Sequence, residues 1–315
     1  MRKTLFVLLF MYVYSIADAT IFVYHRFGDD RHPSTNTSLE QLRKDFEFLK
    51  NNNYHVVPLS AVVDKIKKNE DIPDKWVVLT IDDAYKSFYE NGLAIFKEYG
   101  YHFTLFVYVK ATDHKYGDFM TWDMLKNVLP YGDVEFHSYN HPRLTTLSKE
   151  DIIKDTKIGM EIFQANMGYK PKFYAYPYGS YNQKVKDAIK SFGFEGILNQ
   201  TSGGTNLKSD VYDLFRVPLV GTSNISAGLR YRVFDVQWIE PLEFPKDGIL
   251  KKVRAKVPKD VAKVKLFVTG NQWIENIEVK DGIVDVDLNI HLQNSRTRVI
   301  LGTTYHHISN KILIK

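Results

Sequence analysis

Trp76-Val77-Val78-Leu79-Thr80-Ile81 runs without a break into Asp82-Asp83. A short run so rich in β-branched and apolar residues reads as a strand buried on both faces, as in a parallel sheet. Six further runs share its texture: Ile21–Tyr24, Phe103–Val109, Val134–Phe136, Phe173–Tyr176, Gly196–Leu198 and Phe215–Val220. Helical patterns lie between them. Leu39, Leu42, Phe46 and Leu49 repeat at helical spacing behind a Ser38/Gln41 capping box. Ser87–Tyr99 stops at Gly100, Ser148–Met167 at Gly168 and Asn182–Phe192 at Gly193, and glycine past a helix end relieves the left-handed turn there. Strands alternating with helices argue for an α/β fold, and about seven strands point to a barrel-like sheet.

Beyond Gly228 the texture changes. Tyr231–Ile239, Leu250–Val257, Val264–Thr269, Ile277–Val279, Ile283–Leu288, Thr297–Leu301 and Lys311–Ile314 are strand-like, and no helical pattern separates them. Turn signals such as Pro245-Lys246-Asp247-Gly248 and Lys280-Asp281-Gly282 do. The expected organisation is a leader over 1–19, an α/β domain over 20–228 and a small all-β sandwich over 229–315.

Of 315 positions, 44% are hydrophobic and 25% charged, which excludes a wholly disordered chain, a collagen-like fibre and a multi-span membrane protein. Cysteine is absent, so disulfides, thiolate metal sites and a cysteine nucleophile are excluded too. The net charge of +5 is small and spread along the chain, and implies no nucleic-acid partner. Arg2 and Lys3, then an apolar stretch over Thr4–Ile16, then Ala17-Asp18-Ala19 read as a secretory signal cut after Ala19. That stretch is shorter than the roughly 20 residues a membrane span needs. No later stretch is long and apolar enough to span a bilayer. The expected location is secreted or periplasmic, in the cell envelope.

In a barrel of βα units, functional side chains emerge at the C-terminal strand ends. One run ends at Asp82-Asp83, another at His137-Ser138-Tyr139-Asn140-His141, a third at Pro177-Tyr178-Gly179, and the first at His25-Arg26. Two histidines four apart and one carboxylate make a three-ligand metal site with an open position: Asp83, His137 and His141. Asp82, left beside the ion, is placed to act as general base.

These residues resemble the NodB-homology polysaccharide deacetylases, carbohydrate esterase family 4. The family's Thr-Phe-Asp-Asp motif corresponds to Thr80-Ile81-Asp82-Asp83. Its His-Ser/Thr-x-x-His motif corresponds to His137-Ser138-Tyr139-Asn140-His141, followed by Pro142 and Leu144-Thr145. The resemblance covers about Thr20 to Gly221. It implies a distorted (β/α) barrel, a divalent ion (Zn2+, with Co2+ or Ni2+ as substitutes) on Asp83, His137 and His141, and Asp82 as base. The family's Arg-x-Pro-Tyr motif reads Ala175-Tyr176-Pro177-Tyr178 here, so its arginine is missing. Arg26 and Arg216 are the candidates to replace it. The Tyr178 N–H is expected to hold the oxyanion. No Leu-x-His run precedes the β region to supply a catalytic acid, and His25 is the candidate for that role. His306 and His307 read as surface residues.

The implied function is hydrolysis of N-acetyl groups on an N-acetylglucosamine polymer. The alternatives are an O-acetyl polysaccharide esterase and a carbohydrate-binding protein on a degenerate barrel. Among aromatic residues, Trp122 and Tyr178 are the expected sugar contacts, with Trp122 also able to start a helix and pack inward. Trp238 and Trp273 are either a sugar platform or sandwich core.

Overall fold

The computed structural model describes residues 18–315. The leader expected over 1–19 therefore lies outside them, apart from Asp18 and Ala19. Those two are built into the fold. Ala19 is fully buried and exchanges both backbone hydrogen bonds with Thr205, at 2.8 and 2.9 Å, and the Asp18 carboxylate accepts the Val233 N–H at 2.8 Å. A cut after Ala19 would remove all three bonds; a cut ahead of Asp18 would spare them.

The seven expected strands all form, as β1 (Thr20–Tyr24), β2 (Trp76–Ile81), β3 (Phe103–Val107), β4 (Gly132–Phe136), β5 (Phe173–Ala175), β6 (Gly196–Leu198) and β7 (Val217–Pro218). They pair in parallel in the order β7-β1-β2-β3-β4-β5-β6. The pair His55–Val56, too short to show in the sequence, adds to β2. The sheet curls until the chain leading into β7 spans its two edges: Leu214 bridges Leu198 of β6, and Val217 pairs with Phe22 of β1. The result is the curled NodB-type barrel that the sequence implied.

Alternation along the strands divides the core in two. Val77, Leu79 and Ile81 join the outer cluster, which receives the apolar stripes of α1 (Leu39–Asn51), α3 (Leu93–Tyr99), α4 (Trp122–Val128), α5 (Lys149–Met167) and α6 (Gln183–Lys190). Val78 joins Ile21, Phe106, Ala175 and Leu198 on the inner face, together with Leu59, Val62 and Val63 of α2 (Leu59–Lys67). The period of two then carries Thr80 and Asp82 to the inside as well. Capping follows the sequence. Ser38, Ser148 and Asn182 accept the N–H groups of Gln41, Asp151 and Val185, and Gly100 and Gly168 end their helices at φ 66° and 83°. The expected helix over Ser87–Tyr99 opens with a π-helical turn at Phe88–Gly92, where an α-helical start was expected.

The C-terminal region folds into two sheets with no helix among its described residues after Gly228. Strands β8 (Gln237–Glu240), β9 (Ile249–Lys256) and β12 (Ile283–His291) form one; β10 (Lys263–Val268), β11 (Ile274–Glu278), β13 (Arg296–Gly302) and β14 (His307–Ile314) form the other, with Arg232–Val233 added to β14. Inward residues such as Val253, Leu266, Val284, Val299 and Leu313 make one apolar cluster between them. The stretch Tyr231–Ile239, expected as one strand, is two separate pieces. Trp238 packs on this core and donates to Ser309 Oγ at 3.1 Å, whereas Trp273 meets Phe267 and Tyr305. His306 and His307, expected at the surface, are both partly buried, and His307 Nε2 lies 3.1 Å from the Val233 carbonyl oxygen.

Candidate active site

Asp82 is fully buried, and its backbone N–H donates to the Tyr24 carbonyl. The next two residues, Asp83 and Ala84, take left-handed φ values of 71° and 58°. Such non-glycine conformations cost roughly 1–3 kcal/mol each and persist where the surroundings enforce them. Here they swing Asp83 off the strand line toward the end of β4. There Ser138 and His141 are also left-handed, at φ 67° and 52°. The loop is stitched by Asp155 of α5, whose carboxylate accepts the Tyr139 and Asn140 N–H groups at 3.0 Å each, and by Ser138 Oγ, which accepts the His141 N–H at 2.9 Å.

These loops bring three donor atoms together. Asp83 Oδ1 stands 3.1 Å from His141 Nε2 and 3.5 Å from His137 Nε2, and the two imidazole nitrogens are 3.2 Å apart. His137 Nδ1 lies 2.7 Å from the Ala175 carbonyl oxygen. A carbonyl only accepts, so Nδ1 carries the proton and Nε2 keeps its lone pair. Asp83 Oδ1 is buried and has no hydrogen-bond partner. Two acceptors thus face each other with no proton between them, an arrangement that a cation relieves. The spacing fits one: ligands about 2.0–2.1 Å from a tetrahedral zinc ion stand roughly 3.3 Å apart. Burial pushes the His137 imidazole down to about 4, against the pull of Asp82 and Asp83, which favours the neutral form a metal needs. Burial would raise the Asp83 carboxyl, but the imidazoles that face it, His141 nearest at 3.1 Å, hold it well below the usual range.

Asp82 is held differently. Arg216, also fully buried, donates from Nη1 to Asp82 Oδ1 at 2.7 Å and from Nη2 to Oδ2 at 2.8 Å. Its remaining donors reach Thr80 Oγ1 at 3.1 Å and the Asn199 carbonyl at 2.8 Å. Burial alone would raise the Asp82 carboxyl, but the Arg216 charge, with His137 and the Arg216 hydrogen bonds, brings it below its ordinary value. Gln200 Nε2 donates to Asp82 Oδ2 at 3.0 Å and lies 3.4 Å from His25 Nε2, so His25 borders the same group. Asp82 Oδ2 is 3.9 Å from His137 Nε2.

Of the two candidate arginines, Arg216 is the one that meets Asp82. Arg26 pairs with Asp29 and Asp118 and lies over the Tyr85 ring. Tyr178 turns on a left-handed φ of 60°, and among the described residues its N–H has no acceptor. The residue is 43% exposed, and its ring lies 4.5 Å from the His141 ring and 4.6 Å from the Arg143 guanidinium. Trp122 does not join the group. Its ring meets Phe163 edge-on and its indole N–H reaches Asp113, because Thr121 caps α4 and leaves Trp122 packing on α5. Gln200 and Asp155 were not anticipated. Gln200, two residues past β6, obeys the strand-end rule; Asp155, mid-helix, carries no such signal.

Residues 69–197 match the family model described as polysaccharide deacetylase. Bacillus subtilis YxkH, named as a polysaccharide deacetylase, is 24% identical over 206 residues, 64% of this chain and 71% of its own. The Escherichia coli (strain K12) poly-β-1,6-N-acetyl-D-glucosamine N-deacetylase is 24% identical over 221 residues, 57% of this chain but only 33% of its own. The solved Streptococcus pyogenes deacetylase PplD, in complex with acetate, shares the fold with a TM-score of 0.62 at 18% identity, over 67% of this chain and 96% of that one. Over residues 69–197 the α/β part of the chain is similar to polysaccharide deacetylases, and its fold is that of the solved deacetylase.

Proposed function

We propose that the chain is a metal-dependent deacetylase that hydrolyses the N-acetyl groups of an N-acetylglucosamine-containing polysaccharide, releasing acetate and leaving glucosamine units. The observation that carries this reading is the Asp83, His137 and His141 cluster, its ligand atoms all within 4.8 Å of one another, beside a buried carboxylate tied to Arg216. The name of the E. coli relative supports a β-1,6-linked polymer. The residues Arg2 to Ala19 support action outside the cytoplasm. Among the described residues no helix is long and apolar enough to cross a membrane.

Asp83, His137 and His141 would hold the ion, which when bound polarises the acetyl carbonyl and lowers the pKa of attacking water. Asp82 takes the proton of that water. Its Oδ1 accepts from Arg216 and its Oδ2, 3.9 Å from His137 Nε2, accepts from Arg216 and Gln200, so the base is fixed in direction. The Tyr178 N–H, lacking an internal acceptor, donates to the oxyanion; a well-placed donor of this kind contributes about 3–4 kcal/mol. The exposed Tyr178 ring offers a face to the sugar. His25 delivers the proton that the leaving amine requires. His25→Ala is expected to lower turnover on N-acetyl substrates about 100-fold. It should spare 4-nitrophenyl acetate, whose leaving group needs no proton. Equal loss on both substrates would remove His25 from the role of acid.

The direct test is acetate release from poly-β-1,6-N-acetylglucosamine, chitooligosaccharides and acetylated xylan by protein stripped with chelator and then reloaded with Zn2+ or Co2+. Release should vanish on stripping, return on reloading, and favour the amide substrates. Full activity in stripped protein would overturn metal dependence. Preference for xylan would make the chain an O-acetyl esterase. Binding without release in the loaded protein would make it a lectin.

A further inference from the structure

The turn that carries Tyr178 is held from outside the barrel. Arg296, the first residue of β13 in the sandwich, donates from Nη1 to the Tyr178 carbonyl at 3.1 Å and from Nη2 to the Gly179 carbonyl at 3.3 Å. Two consecutive carbonyls on one guanidinium fix the peptide planes on either side of Gly179. Only the planar fork of arginine offers paired donors at that spacing. The turn has two reasons to need such a hold. Tyr178 occupies a left-handed conformation that a side chain disfavours. Gly179, itself at φ 59°, lies so close to Gln200 that a Cβ there would come within 2.5 Å of the Gln200 nitrogen. The turn and the Gln200 segment are therefore in direct contact. The sandwich grips that second segment too, because Asn310 Nδ2 of β14 donates to the Ser202 carbonyl at 2.8 Å.

We propose that the C-terminal β-sandwich is a working part of the active site, with Arg296 as the positioning residue that sets the Pro177–Ser180 turn and hence the direction of the Tyr178 N–H. This rests on the deacetylase reading above and deepens it. The expectation distinguishes aim from affinity. A donor that acts on the oxyanion but not on the resting amide changes kcat and leaves KM alone.

The test uses the full chain with Arg296→Ala, Arg296→Lys and, as a control on the same strand, Arg298→Ala. Hydrogen exchange read on the peptide spanning 177–180 should quicken about tenfold or more in Arg296→Ala, less in Arg296→Lys, and not in the control. In metal-loaded protein, kcat for acetate release should fall about 10-fold to 100-fold in Arg296→Ala. KM should stay within about twofold, and Arg296→Lys should recover part of the loss. Unchanged exchange in Arg296→Ala overturns the clamp. Faster exchange with unchanged kcat overturns its catalytic purpose. A fall in metal affinity matching the fall in kcat would also overturn it, since the turn supplies no ligand. If loaded wild-type protein releases no acetate from any acetylated glycan, the deacetylase reading fails and takes the catalytic half of this proposal with it. The exchange rates then decide the clamp alone.

Discussion

Asp82→Asn should lower kcat for acetate release by about 1,000-fold while leaving the ion in place, since a positioned general base contributes roughly 10²–10⁴. The substitution keeps shape and removes one function. Asn has a single acceptor oxygen where Asp82 presents two to Arg216, so one of the contacts at 2.7 and 2.8 Å must be lost. The amide nitrogen cannot take the water proton at all. Asp83, His137 and His141 do not depend on Asp82 for their mutual placement, which comes from the left-handed turns at residues 83, 138 and 141. Metal binding followed by the visible spectrum of the Co2+ form should therefore persist, and KM should change little. This pattern separates the loss of a base from the loss of a ligand: His137→Ala should lose the Co2+ spectrum together with activity. Retention of more than a tenth of kcat in Asp82→Asn, with the ion bound, would mean that the base lies elsewhere.

The seven barrel strands were legible because most of their residues are buried and so read as short runs rich in apolar residues. The four residues Asp82, Asp83, His137 and His141 were legible because parallel strands end at one mouth. Local pattern did not reach further. Ala175, at the position of the family's arginine, faces the barrel interior with Phe106 and Leu198 and has no side chain to reach Asp82. Arg216 comes instead from the chain entering β7, its guanidinium 5.5 Å from the centre of the Phe106 ring. Nothing in the one-dimensional spacing chooses between Arg216 and Arg26, since both adjoin strands; the choice is made by barrel closure, which brings residue 216 beside residues 80 and 82. Trp122 failed as a mouth residue for the opposite reason. Its local signal, a Thr cap ahead of a helix, was the informative one. Arg296 lies 118 residues from the turn it holds, and no periodicity announces such a contact. The sandwich strands were legible from glycine turns and alternation, but their attachment to the barrel mouth was not.

Replacing Arg216 with Met should be the most damaging of these changes to stability and should also slow the reaction, with a pH signature that identifies its cause. Removing one partner of a fully buried ion pair typically costs about 3–5 kcal/mol, because the other charge stays behind without compensation. The Asp82 carboxyl, now brought below its ordinary value mainly by Arg216 against the opposing effect of burial, should rise once that charge is gone. The sign follows. In the wild-type protein the depressed carboxyl stabilises the fold fully above the ordinary carboxylate range, and loses that contribution as pH falls through the depressed value. In Arg216→Met the carboxyl is raised, so the variant is most destabilised near neutral pH and recovers as acid neutralises Asp82. The gap between the two melting temperatures should therefore be widest near pH 7–8 and narrow toward acid. In rate, the acid limb of kcat/KM should move to higher pH, because the base is ionised only in more alkaline solution. Arg216→Lys should restore charge but not the fork, since one ammonium cannot serve both Asp82 oxygens, Thr80 Oγ1 and the Asn199 carbonyl at their separate positions. It should therefore recover part of the shift in the acid limb and little of the lost stability. A melting gap that ignores pH would reduce Arg216 to a space-filling role, and an unmoved acid limb would detach Asp82 from proton transfer.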